Sequence, residues 1–516
     1  HPLRLASAAA HGLLRKPVTV LTLPMWPWNL LRDFASAHSV KLWLVGGAVR
    51  DLLLGRPIHD WDFAVDKGSM ELARAVADAL DGHFFPLDEE RGTARVVLKS
   101  GRQASTNLDF TRLRGEGLCA DLAARDFTIN AMAVDARGQL VDPMGGRGDL
   151  ATRCIRGTRR TVFADDPVRL LRGPRLEREL GFRMEHLTEG WVRADAPLLA
   201  NAAAERVRDE LSRGLAVPAA SQLVRRMSRL GLLTHILPEV AELQRIEHSD
   251  SHRFDVWRHT LNAIDIVDGV VATITGEPLP AESEACAEVP ASAWGELIRR
   301  MGHFAGPVRS HLAVVASADR DRLLLLRLAA LFHDVGKAQT RSRDHDARDR
   351  YSGHELRGGE TAASRLRSLR FSRGEVSRVG SMVAAHLLPG QLAREERVTR
   401  RAIYRYFRDT GDVGVDTVLL SLSDHLAARG ADLRERCWAR RLDVAELLLF
   451  HYFERPEETV NPQLPVDGHD LMDVLELEPG PEIGRLLDLL REAAAAGEIG
   501  TREEAITLAR ETLGSS

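Results

Sequence analysis

The sequence predicts a small α+β domain, a mixed sheet with helices, followed by an all-α remainder. Two observations carry this. Short strand-like runs bounded by Gly and Pro are confined to about the first 145 residues. From about residue 150 amphipathic helical periodicity takes over and persists almost to the end. A chain of 516 residues has room for several hydrophobic cores.

Taken in order, 41–45 (KLWLV) reads as a buried strand ending at Gly46-Gly47. A helix, AVRDLLLG, follows and is stopped by Gly55 and Pro57. DWDFAV is a second strand. SMELARAVADAL is an amphipathic helix with Ser69 as N-cap. TARVVLKS and STNLDFTRLR read as further, antiparallel strands. Beyond them DPVRLLRGPRLERELGF, AAERVRDELSRGLAV and SQLVRRMSRLGLLTHILPEV are helical, the last closing a segment near 250. Residues 272–320 read as an insertion or long connection. Helices resume with RLLLLRLAALFHDVGK, and the chain closes on a Pro-rich NPQLPVDG followed by two helices. The expected domains are 1–150, 151–250, 251–430 with the insertion near 272–320, and 431–516.

Net charge is −4, so the chain as a whole has no basic signature. Its distribution is uneven. Residues 1–250 carry 35 basic and 32 acidic side chains, the rest 35 and 42, so a polyanion is better received by the first half. Only five of the 70 basic residues are Lys, and 153–183 holds nine Arg against four acids. The guanidinium fork suits phosphate, although a compositional bias toward Arg is the plainer source of the excess. Apolar runs such as LLLLRLAALF fall short of a membrane span. Four scattered Cys with no C-x-x-C exclude a zinc ribbon and suit a reducing, cytoplasmic setting. The segment 1–26 reads as a cytoplasmic leader.

Asp60 and Asp62 stand at i and i+2 on a predicted strand, so both carboxylates point to one face. Two hard cations held by oxygen ligands would need that arrangement, with Asp109 on another strand as third acid. Gly46-Gly47 opens a helix, where bare backbone N–H groups can approach a triphosphate, and Arg50 lies one turn further on. Alone, each feature is ordinary: a tight turn, a solvated D-x-D. Twelve residues apart they make a site. A G-x-x-x-x-G-K-[ST] loop is absent, which excludes a P-loop ATPase.

LVGGAVRDLLLGRPIHDWDFAV resembles the first motif of class II tRNA nucleotidyltransferases, the CCA-adding enzymes and their bacterial poly(A) polymerase relatives. DLAARDFTINAMAVD, VDPMGGRGDL with IR, DDPVRLLR and ERVRDEL resemble the four motifs that follow, in order, over about 42–211. The resemblance implies that Asp60 and Asp62 bind catalytic Mg²⁺, and that Gly46, Gly47 and Arg50 meet the triphosphate. It places Arg125 and Asp126 at the ribose and phosphates. Asp166 and Arg169, with Arg172 close by, would read the Watson–Crick edge of CTP and ATP, taking the place of a nucleic-acid template. The segment RLRGEGLCA between the third acid and the second motif is shorter than the loop usual in CCA-adding members and resembles CC-adding ones. RGTARVVL lacks the basic element of the poly(A) branch. The implied activity is addition of CMP, with AMP open, to a tRNA 3′ end. The alternatives are CC addition with a separate A-adding partner, poly(A) synthesis, or an RNA phosphoesterase whose transferase half is inactive.

His259, His333-Asp334, His354, His386 and Asp424 follow in an order from which separate helices can gather imidazoles and carboxylates around divalent ions. A single His on an apolar helix face is usually a satisfied core residue; six such residues in this order are not so explained. They resemble the HD phosphohydrolase superfamily over about 250–430. This implies hydrolysis of a phosphoester, a 2′,3′-cyclic phosphate or 2′-phosphate on an RNA end being suitable, with Ni, Mn, Co or Mg²⁺ as the metal. A vestigial HD fold with a structural role is the alternative. The tail resembles the helical segment that holds the tRNA arm or elbow in relatives. No membrane partner is implied.

Overall fold

The computed structural model describes residues 25–58, 60–98, 106–246, 255–343 and 349–514. Most of the expected leader, the end of TARVVLKS and the first residue of STNLDFTRLR lie outside the described residues. The chain divides into two compact units, His1–Ala202 and Ala203–Ser516.

In the first unit, helix α1 (Met25–Ala37) precedes β1 (Leu42–Val45), α2 (Gly47–Leu53), β2 (Asp60–Val65), α3 (Ser69–Ala79), β3 (His83–Asp88), β4 (Thr93–Leu98) and β5 (Thr106–Arg112). The short β6 (Ala133–Val134) and β7 (Leu140–Val141) complete a seven-stranded sheet in the order β3-β4-β5-β2-β1-β6-β7. Its strand pairs are antiparallel except β2–β5, which is parallel, so the sheet is mixed. Alternation sorts its faces. Trp61 and Phe63 of β2 stand opposite Leu108 and Phe110 of β5, and the Phe63 and Phe110 rings stack at 5.3 Å. Trp28 of α1 stacks on Phe63 from the same side. Asp60, Asp62 and Asp109 are left on the other face.

Ser69 is not an N-cap. Gly68, at φ 62°, caps α3, and Ser69 is buried in the first turn, its hydroxyl donating to the Gly92 carbonyl at 2.7 Å. The edge strand β3 carries Pro86 and exposes Phe85 and Leu87, an arrangement tolerated only at a sheet edge. Helix α4 (Leu118–Ala123) lies between β5 and β6, and after the sheet come α5 (Gly146–Ala151), α6 (Val162–Asp165), α7 (Arg169–Leu180) and α8 (His186–Asp195).

The second unit is built of helices α9 (Ala204–Leu215), α10 (Ser221–Arg229), α11 (Leu233–Ile236), α12 (Pro238–Glu242) and α13 (Val256–Thr275), with two short β hairpins further on. Helix α13 is buried along nearly its whole length. The stretch expected as an insertion forms α14 (Glu284–Glu288), α15 (Ala291–Met301) and α16 (Ala305–Leu312), which pack against α13. Then follow α17 (Arg322–Phe332), α18 (Lys337–Thr340), α19 (His354–Ser368), α20 (Arg373–Ala385), α21 (Leu388–Leu392), α22 (Arg400–Thr410), α23 (Gly414–Arg429), α24 (Glu435–Phe453) and α25 (Pro456–Thr459). The tail holds three helices where two were expected: α26 (Gly468–Leu475), α27 (Pro481–Ala496) and α28 (Arg502–Gly514). Asp467 starts α26 with a capping box, and Leu471, Leu486, Leu490 and Ala505 form the tail's own core.

Candidate active sites

In the first unit the parallel β2–β5 register sets Asp62 directly beside Asp109 and Asp60 beside Asn107. The Asn107 amide donates to Asp60 at 3.3 Å. Burial pushes the Asp62 carboxyl up to about 6; Arg125 opposes the shift, and Asp109 and Asp60 add to it. Three carboxylates on one face, one of them held this high, fit a hard divalent cation supplying the missing positive charge. Arg95 on β4, opposite Asp109 in the antiparallel register, holds it through two hydrogen bonds of 2.7 Å.

The Gly-Gly turn closes over this cluster. Gly46 has φ 73°, and a Cβ there would stand 2.9 Å from Arg125 Nη1 and 3.2 Å from Asp62 Oδ2, so only glycine fits. Gly47 starts α2, and the Arg50 guanidinium lies over it, donating to Asp51 and, at 2.8 Å, to Asn130. Arg125 pairs with the buried Asp121 at 3.2 Å.

Asp126 is buried and accepts from the Phe127 N–H, Asn130 and, at 2.6 Å, Arg172. Burial alone would raise its pKa; Arg172, Asn130 and Arg169 outweigh it and hold the carboxyl at about 2. Arg169 begins α7, donates to the Val162 carbonyl and lies 3.5 Å from the extended Asp166. The structure therefore joins the sequence-predicted residues into one electrostatic chain running from Asp62 and Arg125 to Arg172, Asp126, Arg169 and Asp166. A carboxylate and a guanidinium side by side offer acceptors and donors to the edge of a base.

In the second unit all six predicted residues meet. His259 (α13) Nε2 is 3.0 Å from His333 Nε2, 3.4 Å from Asp334 and 3.0 Å from Asp424 (α23). His354 (α19) lies 3.5 Å from Asp334, and the His386 ring lies 5.4 Å, centroid to centroid, from both His333 and His354. His333, His354 and His386 each hold Nδ1 against the carbonyl three residues back, at 2.7–2.8 Å. With Nδ1–H donating there, each Nε2 lone pair is turned to the centre, as metal-ligating imidazoles require. Burial pushes His386 down to about 4, and the neighbouring His333 adds to it. Burial would raise Asp334, but His333 and Lys337 hold it well below the usual carboxylate range. Lys337, which sequence reasoning passed over, donates to Asp334 at 2.7 Å; its place three residues on along the same turn was the available signal. Four imidazoles with two carboxylates are a nitrogen-rich donor set that suits a transition metal better than Mg²⁺.

The mixed sheet with its acidic face and the HD-type cluster together define a nucleotidyltransferase carrying an HD domain. The family model described as the poly A polymerase head domain matches 42–156, that of the probable RNA and SrmB-binding site of polymerase A matches 181–244, and the HD domain matches 296–429. The A-adding tRNA nucleotidyltransferase of Deinococcus radiodurans is 34% identical, covering 90% of this chain and 93% of that one. The CC-adding enzyme of Geobacter sulfurreducens is 33% identical, covering 92% and 93%. A solved CCA-adding enzyme with ATP shares the fold at TM-score 0.57 and 20% identity, over 95% of this chain and 94% of that one. The chain belongs to the tRNA nucleotidyltransferase family. Among the described residues no helix is long and apolar enough to cross a membrane.

Proposed function

We propose that the first unit adds CMP to the 3′ end of tRNA, and that the second hydrolyses a phosphate ester on an RNA end. The tRNA 3′-hydroxyl attacks the α-phosphate of CTP and pyrophosphate leaves. The observation that carries this is the carboxylate face of Asp60, Asp62 and Asp109 beneath the Gly46 turn, continuous with Asp166 and Arg169. In this reading Gly46, Gly47 and Arg50 hold the triphosphate, Arg125 and Asp126 orient the ribose and phosphates, and Asp166 with Arg169 and Arg172 selects the base. Mg²⁺ held by Asp60 and Asp62 would neutralise charge on the attacking and leaving oxygens. At the second cluster a transition metal held by His259, His333, Asp334, His354, His386 and Asp424 would lower the pKa of water. The tail would hold the tRNA arm or elbow, in a cytoplasmic enzyme of four domains bounded near 150, 250 and 430.

The short segment between Asp109 and the second motif favours CC addition. Helix α4 begins at Leu118, and the Arg114 N–H is tied to Asp121 at 3.2 Å. Label incorporation into tRNAs ending at the discriminator base, at C and at CC, with CTP and ATP supplied separately and together, tests this. CMP entering the first two, with AMP refused on the third, is expected. A single AMP added after CC, with CMP entering the first two, would make the chain a full CCA-adding enzyme; AMP added after CC with no CMP incorporation would make it an A-adding one, like the Deinococcus relative, and would sink the reading.

A further inference from the structure

Three arginines of the second unit depart from the pairing that most others keep. Arg394 follows α21, Arg429 ends α23 and Arg441 lies in α24, and α21 packs against both of those helices. Among the described residues the guanidinium groups of these three make no hydrogen bond or ion pair. Arg440, next in the chain to Arg441, is by contrast held by the Glu395 and Glu396 carbonyls and by Asp443.

Arg441 is half-buried and lies against the backbone of Gly390. A Cβ at 390 would stand 2.8 Å from its Nη1 and 3.1 Å from its Nη2, so the missing side chain is what makes room for the guanidinium. Burial lowers the Arg441 pKa; Asp424 opposes this, and Arg394 and Arg429 are close enough to add to it. Asp424, however, is engaged with His259 in the HD cluster. The adjacent His425 stacks on Trp438, and its Nε2 is buried with no hydrogen-bond partner among the described residues. Three like charges converging from three elements, one of them partly withdrawn from water, cost free energy unless an anion joins them. The guanidinium fork matches phosphate oxygens.

We propose that Arg441, flanked by Arg394 and Arg429, forms a phosphate subsite beside the HD cluster that takes the phosphodiester just upstream of an RNA-terminal phosphate ester. This rests on the phosphoesterase reading of that cluster, and it makes the second unit select an RNA end over a mononucleotide.

The test compares cytidine 2′,3′-cyclic phosphate, which has one phosphorus, with CpC 2′,3′-cyclic phosphate, which has a second phosphate upstream. Both are assayed with the full chain and Mn²⁺. Arg441→Ala is expected to lower the dinucleotide-to-mononucleotide ratio of kcat/KM by about 10- to 100-fold, the range of a hydrogen bond to a charged group. Arg441→Lys should recover part of it. Gly390→Ala, which displaces the guanidinium while keeping the charge, should move the ratio the same way. A ratio unchanged in all three variants, with thermal unfolding as wild type, overturns the proposal. If the wild type hydrolyses neither compound, the phosphoesterase reading fails and the subsite is judged by binding. Fluorescein-labelled CpC 3′-phosphate on the metal-stripped chain should then bind Arg441→Ala more weakly, with a salt slope flatter by about 0.7 for each phosphate no longer neutralised. Equal binding and slope would overturn the subsite.

Discussion

In the proposed reading Asp62 is a single residue that trades stability for chemistry. Its carboxyl is buried beside Asp109 and Asp60 and pushed up to about 6, so ionising it at neutral pH works against the fold. Asp62→Asn keeps the shape and removes the charge. CMP incorporation is expected to fall by more than about 100-fold, beyond the loss typical of residues that merely orient a metal ligand. The melting temperature in EDTA at pH 8 should hold or rise. A lower melting temperature would mean that the carboxylate is structural. Asp126 behaves oppositely. Its depression to about 2 by Arg172 is worth about 2 kcal/mol of stability at pH 7. That contribution is present above the ordinary carboxylate pKa and is lost as pH falls through about 4 to 2. Arg172→Ala should therefore destabilise the first unit by about 2 kcal/mol or more at pH 7, with the gap closing toward pH 2; a gap independent of pH would assign the loss to packing. The D-x-D pair was legible because strand alternation alone fixes both carboxylates on one face. Arg95 was not legible, because its contact with Asp109 depends on the β4–β5 register, which no local pattern encodes.

Helix α13 shows what an element does when its whole circumference is buried. Asp265, pushed up to about 6 by burial despite two hydrogen bonds from Ser221, and Asp268, which accepts from the Ala219 N–H and Arg327, tie the start of α10 and helix α17 to it. A carboxyl that binds its proton more tightly in the native state contributes stability at low pH, and that contribution drains away as pH rises from about 4 through about 6. Asp265→Asn can still accept from Ser221 and removes the titration. Urea unfolding should find the variant more stable than wild type above pH 7, by up to about 3 kcal/mol, with the advantage gone at pH 4. A constant difference would show that Asp265 does not titrate in this range. The turn between α17 and α18 is sterically stricter. A Cβ on Gly336 would lie 2.0 Å from the His354 carbonyl oxygen, so Gly336→Ala must separate α18 from α19. It should lose HD-site hydrolysis and lower the melting temperature together; unchanged melting would show that the turn yields. Periodicity revealed helices such as α7, α9, α10 and α17, whose apolar stripes face a core. It missed α14–α16 because Pro and Ser are frequent there and the packing against α13 is tertiary. It placed the α3 cap at Ser69 because a left-handed glycine cap leaves a weaker trace in sequence than a hydroxyl.

At the scale of the whole chain, each metal cluster is assembled inside one unit. Asp60, Asp62 and Asp109 belong to the first; His259, His333, Asp334, His354, His386 and Asp424 belong to the second. The two halves were legible in proportion to how local their signals are. The motifs before residue 211 are compact runs whose spacing survives in the fold, while the HD residues are scattered over more than 160 positions and become a site only when the helices α13, α19, α20 and α23 and the turn after α17 converge. Their donor chemistries also differ, hard oxygen in one and mixed nitrogen and oxygen in the other, and this separates the two activities by metal as well as by mutation. In metal-stripped protein, Mg²⁺ alone should restore CMP incorporation and leave cyclic-phosphate hydrolysis at background, whereas adding Mn²⁺, Co²⁺ or Ni²⁺ should restore hydrolysis. His333→Ala removes one imidazole from the centre and the closest ring nitrogen beside Asp334, so hydrolysis should vanish under every metal. CMP incorporation with Mg²⁺ should stay within about twofold of wild type, since the carboxylates of the other cluster lie in a unit with its own core. If His333→Ala abolished nucleotide addition as well, with the first unit's unfolding transition intact, the two centres would have to be coupled, and the picture of two independent active sites in one chain would fail.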